Sequence, residues 1–440
     1  MERPPIAVVG GGVAGMAAAA RLAKLGHAVD LYEQAGVLGG SWAPYGLADG
    51  MLVDDAPAVL GFPAPWRDLF RKSGRPLEAE LARSGYALAP ADSAQLIFVD
   101  GATLALPTDR GAQHTTLSLA YGRAVADRWQ ALLDQFDDVW QALRRLGLES
   151  ELPARAHLSR QQRRRLMHGQ TVADLAAEVA HPHLSALLRS IAYGFGAVPE
   201  HTPALVAVEL AIRRTFGRWQ IHPMTEATAS GAGRSSVLVQ ALAGRLEQRK
   251  VIVRLSTPVT GIQVEAGRVT GIRTPSGEQP AAAVVCTVDP WHAVGDLLAA
   301  PLAKGTRRRL ARLDPAKAPS IRHLIVDQAI PAVRETVALN AQGVPTITYQ
   351  RPAGEGSIRT VHDFEKLTPR PSYGIAWKGF GTFRRRPAVT TEIDGLFLAG
   401  PFSPAGAAPS AVVLSAALAA DSCQNYLYSD VRPLSKDRSS

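Results

Sequence analysis

Cysteine is almost missing from this chain: Cys286 and Cys423 are the only two among 440 residues. That excludes a disulfide-stapled scaffold, and two free buried thiols in a reducing cytoplasm are expected. No Cys/His spacing of the metal-ligating kind occurs, so no metal site is expected. No apolar run approaches the ~18–20 residues that a spanning helix requires. Met1-Glu2-Arg3-Pro4-Pro5 leads directly into an apolar run, which reads as no signal peptide and a cytoplasmic location. Internal repeats and long low-complexity segments are lacking too.

Acidic residues are in deficit, 39 against 48 Lys and Arg, for a net charge of +9. Arginines cluster at 163–165, 307–309 and 384–386. An anionic membrane surface, an acidic substrate or nucleic acid would each suit such clusters. No aromatic-interleaved basic stripe or nucleic-acid motif accompanies them, so nucleic acid is not expected and a solvated basic face is favoured. A peripheral membrane contact through the first cluster stays open. The length asks for about two or three domains, and the 46% hydrophobic content suits an ordinary globular protein.

What is present is concentrated at the start. Ile6-Ala7-Val8-Val9 is a short apolar run leading into Gly10-Gly11-Gly12-Val13-Ala14-Gly15 and then the small-residue stretch Met16 to Ala23. A second run, Ala28 to Tyr32, ends in Glu33 and Gln34, and Gly39-Gly40 follows. This order reads as strand, glycine turn, helix, strand, acid: half of a dinucleotide-binding unit. Gly10 allows a sharp turn out of the strand, Gly12 lets a pyrophosphate approach the backbone, and Gly15 lets the helix pack close to the sheet. The unpaired amides of the first helical turn, at Val13 and Ala14, attract phosphate. Glu33, 23 residues after Gly10, is placed to accept from a ribose.

Further along, Leu96 to Leu106 reads as a hairpin with an Asp100-Gly101 turn. Residues 120–215 carry helical periodicity, in stretches such as Val125 to Leu146, Thr171 to Ala180 and Leu184 to Ala192, and suggest a helical cap. Ser236 to Gln248 reads as an amphipathic helix, Val251 to Val253 as a parallel strand and Val259 to Thr274 as a hairpin turning at Ala266-Gly267. Ala282 to Val288 is another buried strand. Residues 290–390 show strand-like runs only at Ile321 to Val326 and Thr346 to Tyr349. Gly395 to Gly400 is a last strand, followed by a small-residue helix from about Ala411, with Pro409 and Ser410 before it; the chain after Tyr428 looks frayed. The expected organisation is a discontinuous α/β nucleotide domain (1–95, 232–290 and 392–430), an α+β substrate domain with a helical cap (96–231 and 291–391) and a tail (431–440).

This layout resembles the flavin amine oxidase superfamily, and within it the phytoene-desaturase-like branch. Val8 to Glu33 with Gly39-Gly40 resembles the FAD fingerprint and the second glycine pair, which plain NAD dehydrogenases usually lack. Gly50 to Pro57 is similar to the loop beside the flavin, Val259-Thr260-Gly261-Ile262 to the hairpin whose first valine meets the adenine side, and Gly395 to Gly400 to the last strand. The resemblance implies a Rossmann-like FAD domain of the glutathione-reductase type. It implies FAD contacts from Gly10, Gly12, Val13, Ala14, Gly15, Glu33, Gln34, Gly39, Gly40, Ser41, Ala56, Pro57, Val259, Gly400, Ala411 and Val412. The helix at Ala411-Val412 would point its positive end at the flavin. Three features depart from the pattern: Ala56 where Gly is usual, Ser41-Trp42 where Arg or Lys is common, and a shorter, less glycine-rich Pro401 to Ser410 loop.

The implied activity is FAD-dependent dehydrogenation of an apolar or amphipathic small molecule, with oxygen or a quinone as electron acceptor, in a monomer or homodimer. An amine or porphyrinogen oxidase of the same superfamily, and a protein using FAD without net redox change, stay open. The cofactor carries such chemistry, so no catalytic triad is expected. Residues that could face a substrate are His222 in Trp219 to Pro223, Tyr193 and Phe195, and Tyr373, Trp377 and Phe380 beside Gly374, Gly379 and Gly381. A structural histidine and ordinary core packing are the competing readings. His362 and Asp363 read as a solvated turn or a polar pair. Gly12→Val should abolish FAD retention, checked by the flavin absorbance of the purified variant; wild-type flavin content would remove the reason for placing the pyrophosphate at this turn.

Overall fold

The computed structural model describes residues 4–47, 50–152 and 158–429. The tail expected at 431–440, with Met1–Arg3, lies outside the described residues. At the centre is a five-stranded parallel sheet in the order Leu396–Leu398, Ala283–Cys286, Ile6–Val9, Val29–Tyr32, Ile252–Arg254. Its strands come from three separate stretches of the chain. Parallel strands covered on both faces favour unbroken apolar runs, and Ile6–Val9, Ala283–Cys286 and Leu396–Leu398 have them, while Val29–Tyr32 carries the buried Asp30 and the edge strand ends in Arg254. Ile6, Val8, Leu31 and Val285 face one core, packed under helices Val13–Lys24, Ser236–Gln248 and Pro409–Ser429. Ala7, Val9, Tyr32, Val284 and Cys286 face the other. That second face is covered by a three-stranded antiparallel sheet, Gly261–Glu265, Arg268–Thr274 and Gly277–Pro280. Its first hairpin turns at Ala266-Gly267, where both residues have positive φ.

The two cysteines sit on opposite sides of this arrangement, Cys286 in one core and Cys423 in the other, both free and buried. Burial pushes each thiol up to about 12.

A second body packs against the open end of the parallel sheet. It holds a six-stranded sheet in the order Lys317–Val326, Gly356–Pro369, Pro345–Ala353, Arg334–Leu339, Gln95–Ile97, Thr103–Ala105. Only the join between Arg334–Leu339 and Gln95–Ile97 is parallel. Helices Arg110–Tyr121, Arg123–Leu143, Val172–Glu178, Pro182–Gly194 and Val208–Phe216 cover it. Their shared core contains Trp129, Phe136, Leu188, Leu205, Val337, Trp377 and Phe383. Thr171 caps the Val172 helix through a reciprocal bond with Asp174.

The region 290–390 is richer in strand than the sequence reading allowed. Four strands run through 317–369, where two short runs were expected. The reason lies in their surroundings. Lys317–Val326 is an edge strand, and Gly356–Pro369 contributes His362 and Phe364 to an interior cavity, so neither keeps a plain alternation of apolar and polar residues. Among the described residues no helix is long and apolar enough to cross a membrane.

The helix Val13–Lys24 lies so close to the turn before it that a Cβ on Gly15 would fall 1.8 Å from the Gly10 carbonyl oxygen. Gly15→Ala therefore overpacks this junction and should cost about 1–3 kcal/mol, read as a lowered Tm in thermal unfolding without added FAD. Gly244 is the matched control: a Cβ there meets no atom within 4 Å. Gly244→Ala should be neutral or stabilising by up to about 1 kcal/mol.

Candidate functional site

Gly10, Gly11 and Gly15 of the glycine turn are held by contacts that leave no space for side chains. Gly10 has φ +102°, and its N–H donates to the Tyr32 carbonyl at 2.9 Å. A Cβ on it would meet Thr287 Oγ1 at 2.7 Å. That hydroxyl donates to the carbonyls of Val9 at 3.0 Å and Gly10 at 3.1 Å, locking the turn to the neighbouring strand end. Gly39 N–H donates to the Gly11 carbonyl at 2.8 Å, and Gly40, at φ +59°, brings its Cα against Gly12. The two glycine pairs thus brace one another.

Gly12 itself is open. Within 4 Å of a Cβ placed there lies only the Gly40 Cα, at 3.9 Å. The helix that follows has no side-chain cap and no acidic residue in its first turn. Its leading amides are left for an anionic ligand. Glu33 is buried beside them, its carboxylate accepting from Gly11 N–H at 2.6 Å and Ala35 N–H at 2.7 Å. A glycine cradle clear of side chains, an uncapped helix start and a fixed carboxylate fit the pyrophosphate and ribose of FAD.

These groups open into one cavity of about 910 Å³. Of the residues expected to contact FAD, Gly10, Gly12, Val13, Ala14, Glu33, Gln34, Gly39, Gly40, Ser41, Pro57, Val259, Ala411 and Val412 line it. Three do not. Gly15 serves the helix packing described above, Ala56 is buried away from the cavity, and Gly400 faces the Phe402 ring while its N–H donates to Ser415 Oγ at 3.0 Å. Pro409 and Ser410 are the first residues of the last helix rather than residues before it. The Ser410 hydroxyl donates to the Phe62 carbonyl and does not cap the helix.

Beyond the cofactor end the cavity becomes apolar. Leu133, Trp140 and Leu143 come from helix Arg123–Leu143, Leu187 and Ile191 from Pro182–Gly194, and Leu210 from Val208–Phe216. Val337, Ile347 and Phe364 come from the six-stranded sheet, with Trp377 and Phe383 at its edge. The Trp377 ring lies under the buried Arg386 guanidinium, 4.5 Å away.

Polar side chains cluster at two places, of which the first reaches the cavity only through Asp55. At the first, the Tyr45 hydroxyl stands 2.8 Å from Asp55 Oδ1 and 2.7 Å from His323 Nε2, which is itself 3.3 Å from that oxygen. His323 Nδ1 is 3.0 Å from Thr360 Oγ1. The hydrogen bond from His323 is the main reason that the Asp55 carboxyl lies below the usual range; burial opposes it. At the second place, Arg213 Nε donates to Glu209 at 3.0 Å, and Arg218 pairs with Glu335. Tyr349 and His362 stand there with rings 5.4 Å apart. Burial pushes His362 down to about 4, so it is neutral near pH 7.

The substrate-facing expectations fare unevenly. His222 is exposed on strand Trp219–Pro223, opposite Ala87, and does not line the cavity; Ile221 takes the inward position. Tyr193 is buried but turned away, whereas Phe195 and Tyr373 line the cavity. Phe380 packs on His168 instead. Trp377 is at the cavity wall, its Nε1 without a hydrogen-bond partner among the described residues. His362 and Asp363 are no solvated turn: both are buried within strand Gly356–Pro369, and only His362 reaches the cavity.

Sequence reasoning passed over Thr287, Asp55, Arg213, Glu335 and Tyr349. For Thr287 a signal existed, because it stands at the carboxyl end of a parallel strand, where such sheets bind ligands. Arg213 and Glu209 read as an ordinary surface pair four residues apart.

The sequence profile of the FAD-dependent oxidoreductase family matches residues 5–338. A 4,4'-diapolycopene oxygenase from Methylomonas sp is 24% identical over 352 residues, covering 74% of this chain and 63% of that protein. A phytoene dehydrogenase from Streptomyces griseus is 30% identical over 308 residues, covering 64% of this chain and 54% of that protein. The chain thus spans somewhat more than half the length of these relatives. Among solved structures, an oxidoreductase from Methanosarcina mazei superposes with TM-score 0.67 at 13% identity, over 94% of this chain and 99% of that one. Cyclohexylamine oxidase from Brevibacterium oxydans gives 0.63 at 15% identity, over 97% and 100%. These two likenesses concern the fold. With a profile match over most of its length, this chain belongs to the FAD-dependent oxidoreductase family.

Proposed function

We propose that this protein dehydrogenates an elongated apolar or amphipathic small molecule, leaving a new carbon–carbon double bond. One observation carries the reading: a single cavity joins the glycine cradle to a chamber walled mainly by Leu, Ile, Val, Phe and Trp. Bound FAD supplies the hydride acceptor for such a reaction. The chamber would hold the chain and keep water from the reacting carbons. The names of the sequence relatives, a phytoene dehydrogenase and a hydroxyneurosporene desaturase among them, support a substrate of this kind. We further read residues 1–95, 232–290 and 392–430 as the FAD-binding unit, with the cavity-lining residues of the glycine turns as its diphosphate contacts.

Forming a double bond releases a proton together with the hydride. Asp55 is the carboxylate we assign to take it. It lines the cavity two residues before Pro57, and its hydrogen bond from His323 keeps it ionised. A carboxyl with a lowered pKa stays ionised at pH values where an ordinary Asp begins to protonate. Activity should therefore hold from neutral pH down to about 5 and fall only below the ordinary carboxylate range. Asp55→Asn should lower kcat by about 10²–10⁴-fold while leaving flavin content unchanged; an unaltered kcat would remove Asp55 from the reaction. For the main reading, the FAD-loaded protein is mixed anaerobically with detergent-dispersed phytoene or 4,4'-diapophytoene. Bleaching of the oxidised-flavin band is the expected result, and persistence of the band with every long apolar substrate tried would overturn it.

A further inference from the structure

The apolar chamber holds a cation that dehydrogenation of a plain hydrocarbon does not require. Arg213 lies on helix Val208–Phe216, one turn after Glu209, and both line the cavity. Its Nε is bonded to Glu209, but neither terminal nitrogen has a hydrogen-bond partner in the protein among the described residues. The side chain is 49% accessible, and it lines the cavity. Gly61 makes room for it: a Cβ there would stand 3.2 Å from Arg213 Cγ. The next residue, Phe62, receives the Ser410 hydroxyl from the helix start at the cofactor end. Arg213 is thus tied to the cofactor side of the chamber.

A second donor stands at the same wall. Tyr349 is buried and lines the cavity, its hydroxyl has no protein partner among the described residues, and it belongs to the charged surroundings of Arg213. The other cations nearby are answered within the protein, Arg218 by Glu335 and Arg214 by Asp134 at 2.9 Å. Glu209 and Glu335 supply counter-charge to Arg213, while the two terminal nitrogens of its guanidinium fork stay open to a ligand in the cavity. The fork presents two parallel N–H groups, which suit a C=O oxygen or a carboxylate.

We infer that Arg213 and Tyr349 together bind a C=O oxygen of the substrate, which makes the natural substrate an amphipathic molecule with one oxygenated end rather than a pure hydrocarbon. This rests on the reading of the chamber as the substrate site. The test titrates the FAD-loaded protein with dodecanoate, 2-tridecanone and tridecane, following the shift in flavin absorbance. Dodecanoate or the ketone should bind at least about tenfold more tightly than tridecane, and whichever of the two binds tighter tells carboxylate from ketone. Arg213→Met should abolish that preference while tridecane affinity stays within about threefold. Tyr349→Phe, which removes one oxygen and little volume, should reduce the preference and gives a second reading if Arg213→Met does not fold. Equal binding of all three ligands by the wild type, or an unchanged preference in both variants, would overturn the inference. Hydrocarbon polyenes that bleach the flavin as fast as oxygenated ones would also sink it, yet would leave the dehydrogenase reading standing.

Discussion

The structure depends on one contact between two backbones that carry no side chains. Gly12 and Gly40 pass so close that a Cβ on Gly40 would stand 3.2 Å from the Gly12 Cα, and the Gly39 N–H to Gly11 carbonyl bond holds the two loops together. Without that contact the loop after the second strand would not lie across the first helix. The uncapped helix start would then face water, which would satisfy its amides and compete with any phosphate. With it, the amides, the Glu33 carboxylate and the cavity mouth share one small region. Thr287 secures the arrangement from the far side by bonding two successive carbonyls of the turn.

The second body answers a different need. A parallel sheet of five short strands offers a ligand site at its carboxyl ends but no walls. The six-stranded sheet and the helical cap supply those walls, and their own core faces the cavity from above and below. Asp55 reaches this wall from the loop before Pro57, with His323 of the sheet's edge strand behind it, and Arg213, Glu335 and Tyr349 reach it from a cap helix and two inner strands.

How much of this was legible in the sequence follows from what each segment faces. Strands buried on both sides read as unbroken apolar runs, so Ile6–Val9 and Ala283–Cys286 were found with little error. Glycines required by close backbone contacts stood out because nothing else fits there. The strands of 317–369 were harder, since one side of them meets a cavity that tolerates both Phe364 and His362. In sequence His222 is a candidate beside a structural-histidine reading, and the pleat of its strand turns it to solvent. Arg213 was hidden because an arginine paired four residues from a glutamate looks like surface decoration, and an interior surface has no separate signature in sequence.

The discontinuity of the parallel sheet bears on how the molecule is made. Strand Leu396–Leu398 and helix Pro409–Ser429 complete the sheet and its helical layer, yet they are the last of these elements to leave the ribosome. Until then one edge of Ala283–Cys286 lacks its neighbour, and the pocket at the flavin end lacks a wall. Domains whose parts are distant in sequence cannot fold piece by piece as synthesis proceeds. A nascent chain of this protein therefore presents a glycine cradle early but an incomplete chamber, so cofactor capture becomes a late event in biogenesis and any pause before residue 396 leaves an aggregation-prone sheet edge waiting for its partner.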